Sequence, residues 1–180
     1  DFEHNQESEL TEKQLEQKVF ESLPFRQAVL NDIKNNWSTN ASGPIEMGVR
    51  KPNQFQAILA VSGKQAVASY YSLFKQMFPE LRVAMTFSRD ENNGVGTSDL
   101  QAALKQAMID YMTLYGTHNF LEDNEPQRSY LNDITKRISR KKPYNQDKDA
   151  DRLDLIIVAD QLLTGFDSKY VNIIYMDKLM

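Results

Sequence analysis

An α/β fold, with a mostly parallel sheet, helices on both of its faces and a short helical lead-in, is what this sequence predicts. Four short runs rich in Ile, Val and Leu stand at 55–61, 81–87, 154–159 and 171–176. They lack strict polar/apolar alternation, as strands covered on both faces do. Between them, apolar residues recur at helical spacing. Strands that alternate with helices are joined by crossovers, and crossovers make parallel neighbours.

The lead-in comes first. Residues 1–9 are polar and acidic, after which Leu10, Thr11, Gln14 and Leu15 fit a helix start, with a Thr-x-x-Gln capping box and an apolar staple. This first helix is expected to begin near Glu12. Pro24 suits the first turn of a second helix, in which Phe25, Ala28, Val29 and Ile33 would form one apolar face. Gly43, Pro44, Gly48 and Pro52 stand among polar residues at 38–53 and predict a loop or linker. The expected division is therefore 1–53, lead-in and linker, and 54–180, the α/β domain.

The domain opens with the strand at 55–61. A helix over 64–78 then places Val67, Tyr70, Tyr71, Phe74, Met77 and Phe78 on one stripe, and Pro79 closes it. The second strand, 81–87, precedes a helix capped at Ser98, with Leu100, Leu104, Ala107, Met108, Tyr111 and Tyr115 as its apolar positions. A polar connector at 117–127 leads to a helix carrying Tyr130, Leu131, Ile134 and Ile138, which ends in a basic run before Pro143. A solvated loop at 147–151 precedes the last two strands, 154–159 and 171–176.

Composition narrows the function. In 180 residues, 41% are hydrophobic, enough for one globular core. The net charge of -4 and pI of about 5.3 give no global positive field, so any nucleic-acid contact must be local. With no cysteine, disulfides, thiolate metal sites and thiol catalysis are excluded, and a reducing compartment is the simplest expectation. Two histidines, His4 and His118, are too few and too far apart to suggest a metal centre. No apolar run approaches the ~20 residues that span a bilayer, and the start lacks the basic and apolar regions of a signal peptide. A soluble, cytoplasmic protein is expected, as a piece of a longer chain, since the first residue is not Met and the last residues still read as a strand and its exit.

In an open parallel sheet, ligands collect at the carboxyl ends of the strands, where loops and helix amino termini present unpaired N–H groups. Three loops qualify: Ser62-Gly63-Lys64-Gln65, Ser88-Arg89-Asp90 and Thr164-Gly165-Phe166-Asp167. Small hydroxyl residues and glycines let a backbone approach a phosphate closely. Each also has a purely structural explanation. Ser62 and Ser88 suit helix caps, Gly165 a turn, and Asp167 a bond to its own turn.

The run from Asp154 through Asp167, with Leu-Thr-Gly-Phe-Asp at its end, resembles motif V of the motor subunit of type I restriction enzymes. Val171 to Leu179 is similar to the apolar strand ending in Asp-Lys-Leu that follows that motif. Phe55 to Ser62, with the Tyr70-Tyr71 helix, is similar to motif IV, and Arg82 to Ser88 to the family's next strand. The resemblance covers roughly residues 50–180. It implies a RecA-like domain, the second of two in a superfamily 2 helicase motor, ending before motif VI. It further implies that Ser62, Gly63, Ser88 and Thr164 meet DNA phosphates, while Gly165 and Asp167 lie at an interdomain nucleotide site. The partners so implied are double-stranded DNA, the first RecA-like domain of the same chain, and modification and specificity subunits. ATP and Mg2+ would serve the full-length enzyme, with none expected on this piece.

No G-x-x-x-x-G-K-[ST] phosphate loop, acidic magnesium box or nuclease carboxylate-lysine motif occurs, so no catalytic residue and no metal ligand is assigned here, and this piece alone is expected neither to hydrolyse ATP nor to cut DNA. Two other classes fit the same pattern: a RecA-like docking domain that binds no nucleotide, and a flavodoxin-like small-molecule binder. Five basic residues among the seven of 136–142 could form a DNA track, but a solvated face complementing a helix dipole is the favoured expectation.

Overall fold

The computed structural model describes residues 14–15, 18–40, 55–88, 97–146, 148–159 and 167–177. The expected capping box at Thr11, most of the linker at 38–53, and Thr164 and Gly165 lie outside the described residues. The chain divides into two units, 1–35 and 36–180.

Residues 14–15 and 18–20 are helical, and a helix α1 follows at Leu23–Asn40. The Ser22 hydroxyl accepts the Phe25 N–H at 3.3 Å, an amino-terminal cap with Pro24 inside the first turn. Phe20 meets Phe25 edge-on, with ring centroids 4.8 Å apart. The buried stripe differs from the expected one. Leu30, Ile33 and Trp37 are buried, whereas Ala28 is exposed. The larger side chains turn inward because their burial removes more apolar area from water. The helix also continues through 38–40, where a loop was expected.

The second unit holds a four-stranded parallel sheet, β1 (Gln56–Val61), β2 (Val83–Phe87), β3 (Leu155–Ala159) and β4 (Val171–Asp177), in the order β2-β3-β1-β4. Every residue of β1 and β3 is buried, so both faces of the two central strands are covered. Helices α2 (Lys64–Met77), α3 (Thr97–Tyr115) and α4 (Pro126–Ile138) supply the α layers. Helix α2 packs on β2 and β3 and α3 on β2, while the Tyr130 hydroxyl of α4 donates to the Met85 carbonyl of β2 at 3.1 Å. The α2 stripe is as its spacing predicts, with Val67, Tyr70, Tyr71 and Phe74 buried. Ser98 is not the cap of α3, which already includes Thr97; its hydroxyl instead meets the Asp99 side chain. The connector after α3 is less polar than expected, because Phe120 is buried in a 3-10 turn, Phe120–Glu122.

β4 departs from the buried pattern. Its residues alternate between half-buried and exposed, and Ile174 and Met176 stay more than half exposed. Among the described strands it lies at the edge of the sheet, paired with β1. An edge strand has one neighbour and, here, one covered face, so period-two alternation replaces the two-sided burial of β1 and β3.

The basic run is not the fully solvated face expected of it. Arg137 and Arg140 are buried, and Lys141 and Lys142 are exposed. The Arg137 guanidinium lies between Tyr115 and Tyr144, 3.7 and 3.9 Å from their ring centroids. Its Nε donates to the Tyr111 hydroxyl at 2.7 Å, and its other nitrogens reach Asp133 and Asp151. Arg140 takes the left-handed position after α4 at φ 47°. The Lys141 N–H returns to the Lys136 carbonyl and the Arg140 N–H to the Arg137 carbonyl, a Schellman closure where glycine is the usual residue. The Arg140 guanidinium packs 4.3 Å over the Tyr170 ring, which gives a non-glycine residue a reason to hold that strained backbone.

Candidate functional site at the carboxyl rim of the sheet

The two rims of the sheet are finished differently. At the amino rim, the Arg82 N–H donates to Asp154 Oδ2 at 2.8 Å, and the Arg82 side chain holds both the carbonyl and the carboxylate of Asp149. The Tyr115 hydroxyl closes on the Arg152 carbonyl at 2.7 Å. The buried side-chain amide of Gln56, at the start of β1, has no partner among the described residues.

At the carboxyl rim the register brings separate segments level. Phe87 pairs with Ala159, Ala60 with Val158, and Val61 with Asp177. Ser62 and Ser88 each follow the last residue of a strand and so stand on the same rim, on either side of the end of β3. Ser62 is exposed and Ser88 half-buried. Ser62 is not the amino-terminal cap of α2. That position belongs to Gly63, which has no side chain to cap the helix. The positive end of the helix dipole lies at this turn, beside Ser62.

Gly63 has extended backbone (φ 174°), and an added Cβ would meet nothing closer than the Gln65 Oε1 at 4.0 Å. The fold itself does not require glycine there. Two residues given no role in the sequence analysis, Lys64 and Gln127, also shape this edge. Lys64 carries its ammonium 5.9 Å from the Phe87 ring centroid, spanning the ends of β1 and β2. Gln127, in the first turn of α4, donates to the Phe87 carbonyl at 2.8 Å and fixes the exit of β2 just before Ser88. Neither contact is visible as a motif, because each joins segments with no periodic relation.

Asp167 is not gathered with the two serines. It is exposed and stands four residues ahead of Val171, whose partner is Gln56 at the start of β1, so it lies on the approach to the amino end of β4. The turn after it is built by Ser168, whose hydroxyl accepts the Tyr170 N–H at 3.2 Å, and by the Tyr170 carbonyl, which accepts the Gln56 N–H at 2.8 Å. Among the described residues, no three His, Cys, Asp or Glu side chains cluster as metal ligands would. No described helix is long and apolar enough to cross a membrane.

A parallel four-stranded sheet packed with helices places the domain in the RecA-like α/β class. Within that class, residues 53–180 match the family model of type I restriction enzyme subunit R domain 3. The chain belongs to this family. It is 30% identical over 133 residues to the Type I restriction enzyme SauCOLORF180P endonuclease subunit of Staphylococcus aureus strain COL. It is 34% identical over 134 residues to the SsaAORF53P endonuclease subunit of Staphylococcus saprophyticus. Each match covers 69% of this chain but 13% of the relative.

Proposed function

We propose that this chain is part of a restriction subunit that drives ATP-dependent DNA translocation ahead of cleavage, and that it forms one wall of the DNA path. The observation that carries this reading is the convergence of Ser62 and Ser88, from strands distant in sequence, on the carboxyl rim of the sheet beside the Gly63 start of α2. Phosphate oxygens are the acceptors such a helix start suits, and phosphate contacts set register on a duplex without reading its sequence. Ser62, Gly63 and Ser88 would make them, with Thr164 following from the motif it belongs to. Gly165 and Asp167 would face nucleotide bound between this domain and a first RecA-like domain. The assignment of those two rests on the Leu-Thr-Gly-Phe-Asp motif. Modification and specificity subunits would complete a cytoplasmic complex.

The residues present do not by themselves suit ATP and Mg2+. The sequence has no Walker phosphate loop, and the described residues have no acidic cluster. Hydrolysis is therefore proposed for the longer protein, with this chain contributing contacts and no catalytic group. Fluorescence anisotropy of the 180-residue chain with duplex DNA tests the reading. Weak binding that falls steeply with salt supports it. Salt-independent binding, or none at low salt, would leave a docking domain as the better account, and ATP turnover by this piece alone would contradict the assignment.

A further inference from the structure

Tyr70 lies on the inward stripe of α2 and is fully buried, yet its hydroxyl is not idle. It donates to Asp177 Oδ2 at 2.5 Å, across 107 residues of sequence. Asp177 is the last residue of β4 and the register partner of Val61, the residue immediately before Ser62-Gly63. Among the described strands β4 is the least covered, pairing with β1, with Asn172, Ile174 and Met176 exposed. A charge-assisted hydrogen bond from a buried phenol therefore ties the end of this strand to the helix that starts at Gly63. Such a bond costs little entropy at the donor, because packing already fixes the Tyr70 ring.

We propose that Tyr70 and Asp177 form a positioning pair: the phenol holds the carboxylate against α2 and so sets the spacing between the end of β4 and the Ser62-Gly63 turn. The effect on DNA rests on the reading of this rim as DNA-facing; the effect on the rim itself does not. Both effects are measured in the 180-residue chain, with a duplex DNA oligonucleotide as probe and hydrogen exchange as the second readout. Tyr70→Phe keeps the buried ring and removes the donor. It should speed amide exchange at the end of β4 and in the first turn of α2 by about tenfold, as loss of one hydrogen bond of about 1.4 kcal/mol would. DNA affinity should drop severalfold with an unchanged salt slope, because no phosphate contact is deleted. Asp177→Asn keeps a neutral acceptor for the phenol and should leave both readouts closer to those of the unaltered chain than Asp177→Ala does, which should behave like Tyr70→Phe. Lower thermal stability in Tyr70→Phe, with rim exchange and affinity unchanged, would reduce the pair to core packing and overturn the proposal. Tighter DNA binding by both Asp177 variants would also overturn it, since the carboxylate would then act only as a repelling charge. If the unaltered chain binds no DNA, the DNA reading fails, and the exchange data alone decide the pair: faster exchange at the rim supports it and no change refutes it.

Discussion

Replacing Arg137 with Ala should destabilise the protein strongly, although this arginine belongs to a run of basic residues that would ordinarily face solvent. Its side chain is 2% exposed. The guanidinium is stacked between Tyr115 and Tyr144, bonded through Nε to Tyr111 and through Nη1 to the Asp151 carbonyl at 3.0 Å. A desolvated cation over an aromatic ring contributes ~2 kcal/mol, and a hydrogen bond from a charged group ~1.5–3 kcal/mol. These contributions overlap and do not add. One consideration limits the loss: Asp133 keeps the Tyr111 and Tyr144 hydroxyls as donors at 2.7 and 2.5 Å, so its carboxylate is not left bare. Removing one member of a buried charged cluster typically costs ~3–5 kcal/mol, and that range is expected here. Against a total stability of ~5–15 kcal/mol, this loss is a large share of the whole and should lower the unfolding midpoint clearly. Arg137→Lys retains charge but neither the planar stack nor the fork, and should recover less than half of the loss. Urea unfolding followed by circular dichroism gives both values. A loss below about 1 kcal/mol for Arg137→Ala would show that the guanidinium is solvated in solution and that the packing argument is wrong.

Gly63→Ala should keep stability within ~1 kcal/mol, because the added methyl meets open space, yet weaken DNA binding, because a phosphate must approach that backbone; unchanged affinity on anisotropy would remove Gly63 from the interface. Alkaline pH should destabilise the fold. Burial pushes the Tyr71, Tyr111 and Tyr130 hydroxyls far up, and burial together with the Asp133 hydrogen bond pushes Tyr144 up to about 12. Folded values above the unfolded value of about 10 mean that stability is fully present below pH ~10 and is lost as pH rises toward 12, which phenolate absorbance with circular dichroism would follow; flat stability across that window would refute it. At the acid end, desolvation raises the Asp110 carboxyl, but hydrogen bonds from Lys75, Gln106 and Tyr71 outweigh it and hold the group below the usual carboxylate range. Its contribution is present at neutral pH and is lost as pH falls through that lowered value, so Asp110→Asn should flatten acid unfolding below pH ~4. In a full-length restriction subunit, Asp167→Ala should leave folding nearly intact and lower DNA-stimulated ATPase and translocation together; a stability loss of several kcal/mol with normal translocation would mark it as a turn residue.

Each strand and helix of the α/β unit was legible in the sequence to within a few residues, because periods of two and 3.6 are set by backbone geometry inside a short window. Parallel pairing followed from the same alternation, and with it the arrival of Ser62 and Ser88 on one rim. The motif ending at Asp167 and the run before Ser62 also pointed to the family that residues 53–180 match. The strand order β2-β3-β1-β4 was not legible, since nothing local says which buried strand lies beside which. Nor was the fate of individual charges. Arg137 and Lys141 look alike in a basic run, and only the rings of Tyr115 and Tyr144, brought in from other segments, decide that one is buried and the other exposed. Asp177 reads as the polar end of a strand until a tyrosine 107 residues away reaches it. Asp167 reads as a neighbour of the serines until pairing puts Val171 beside Gln56 and draws it toward the amino end of β4. Periodicity reports which way a side chain faces on its own element; which groups meet it there is settled by contacts between distant segments, and those form only when the sheet closes.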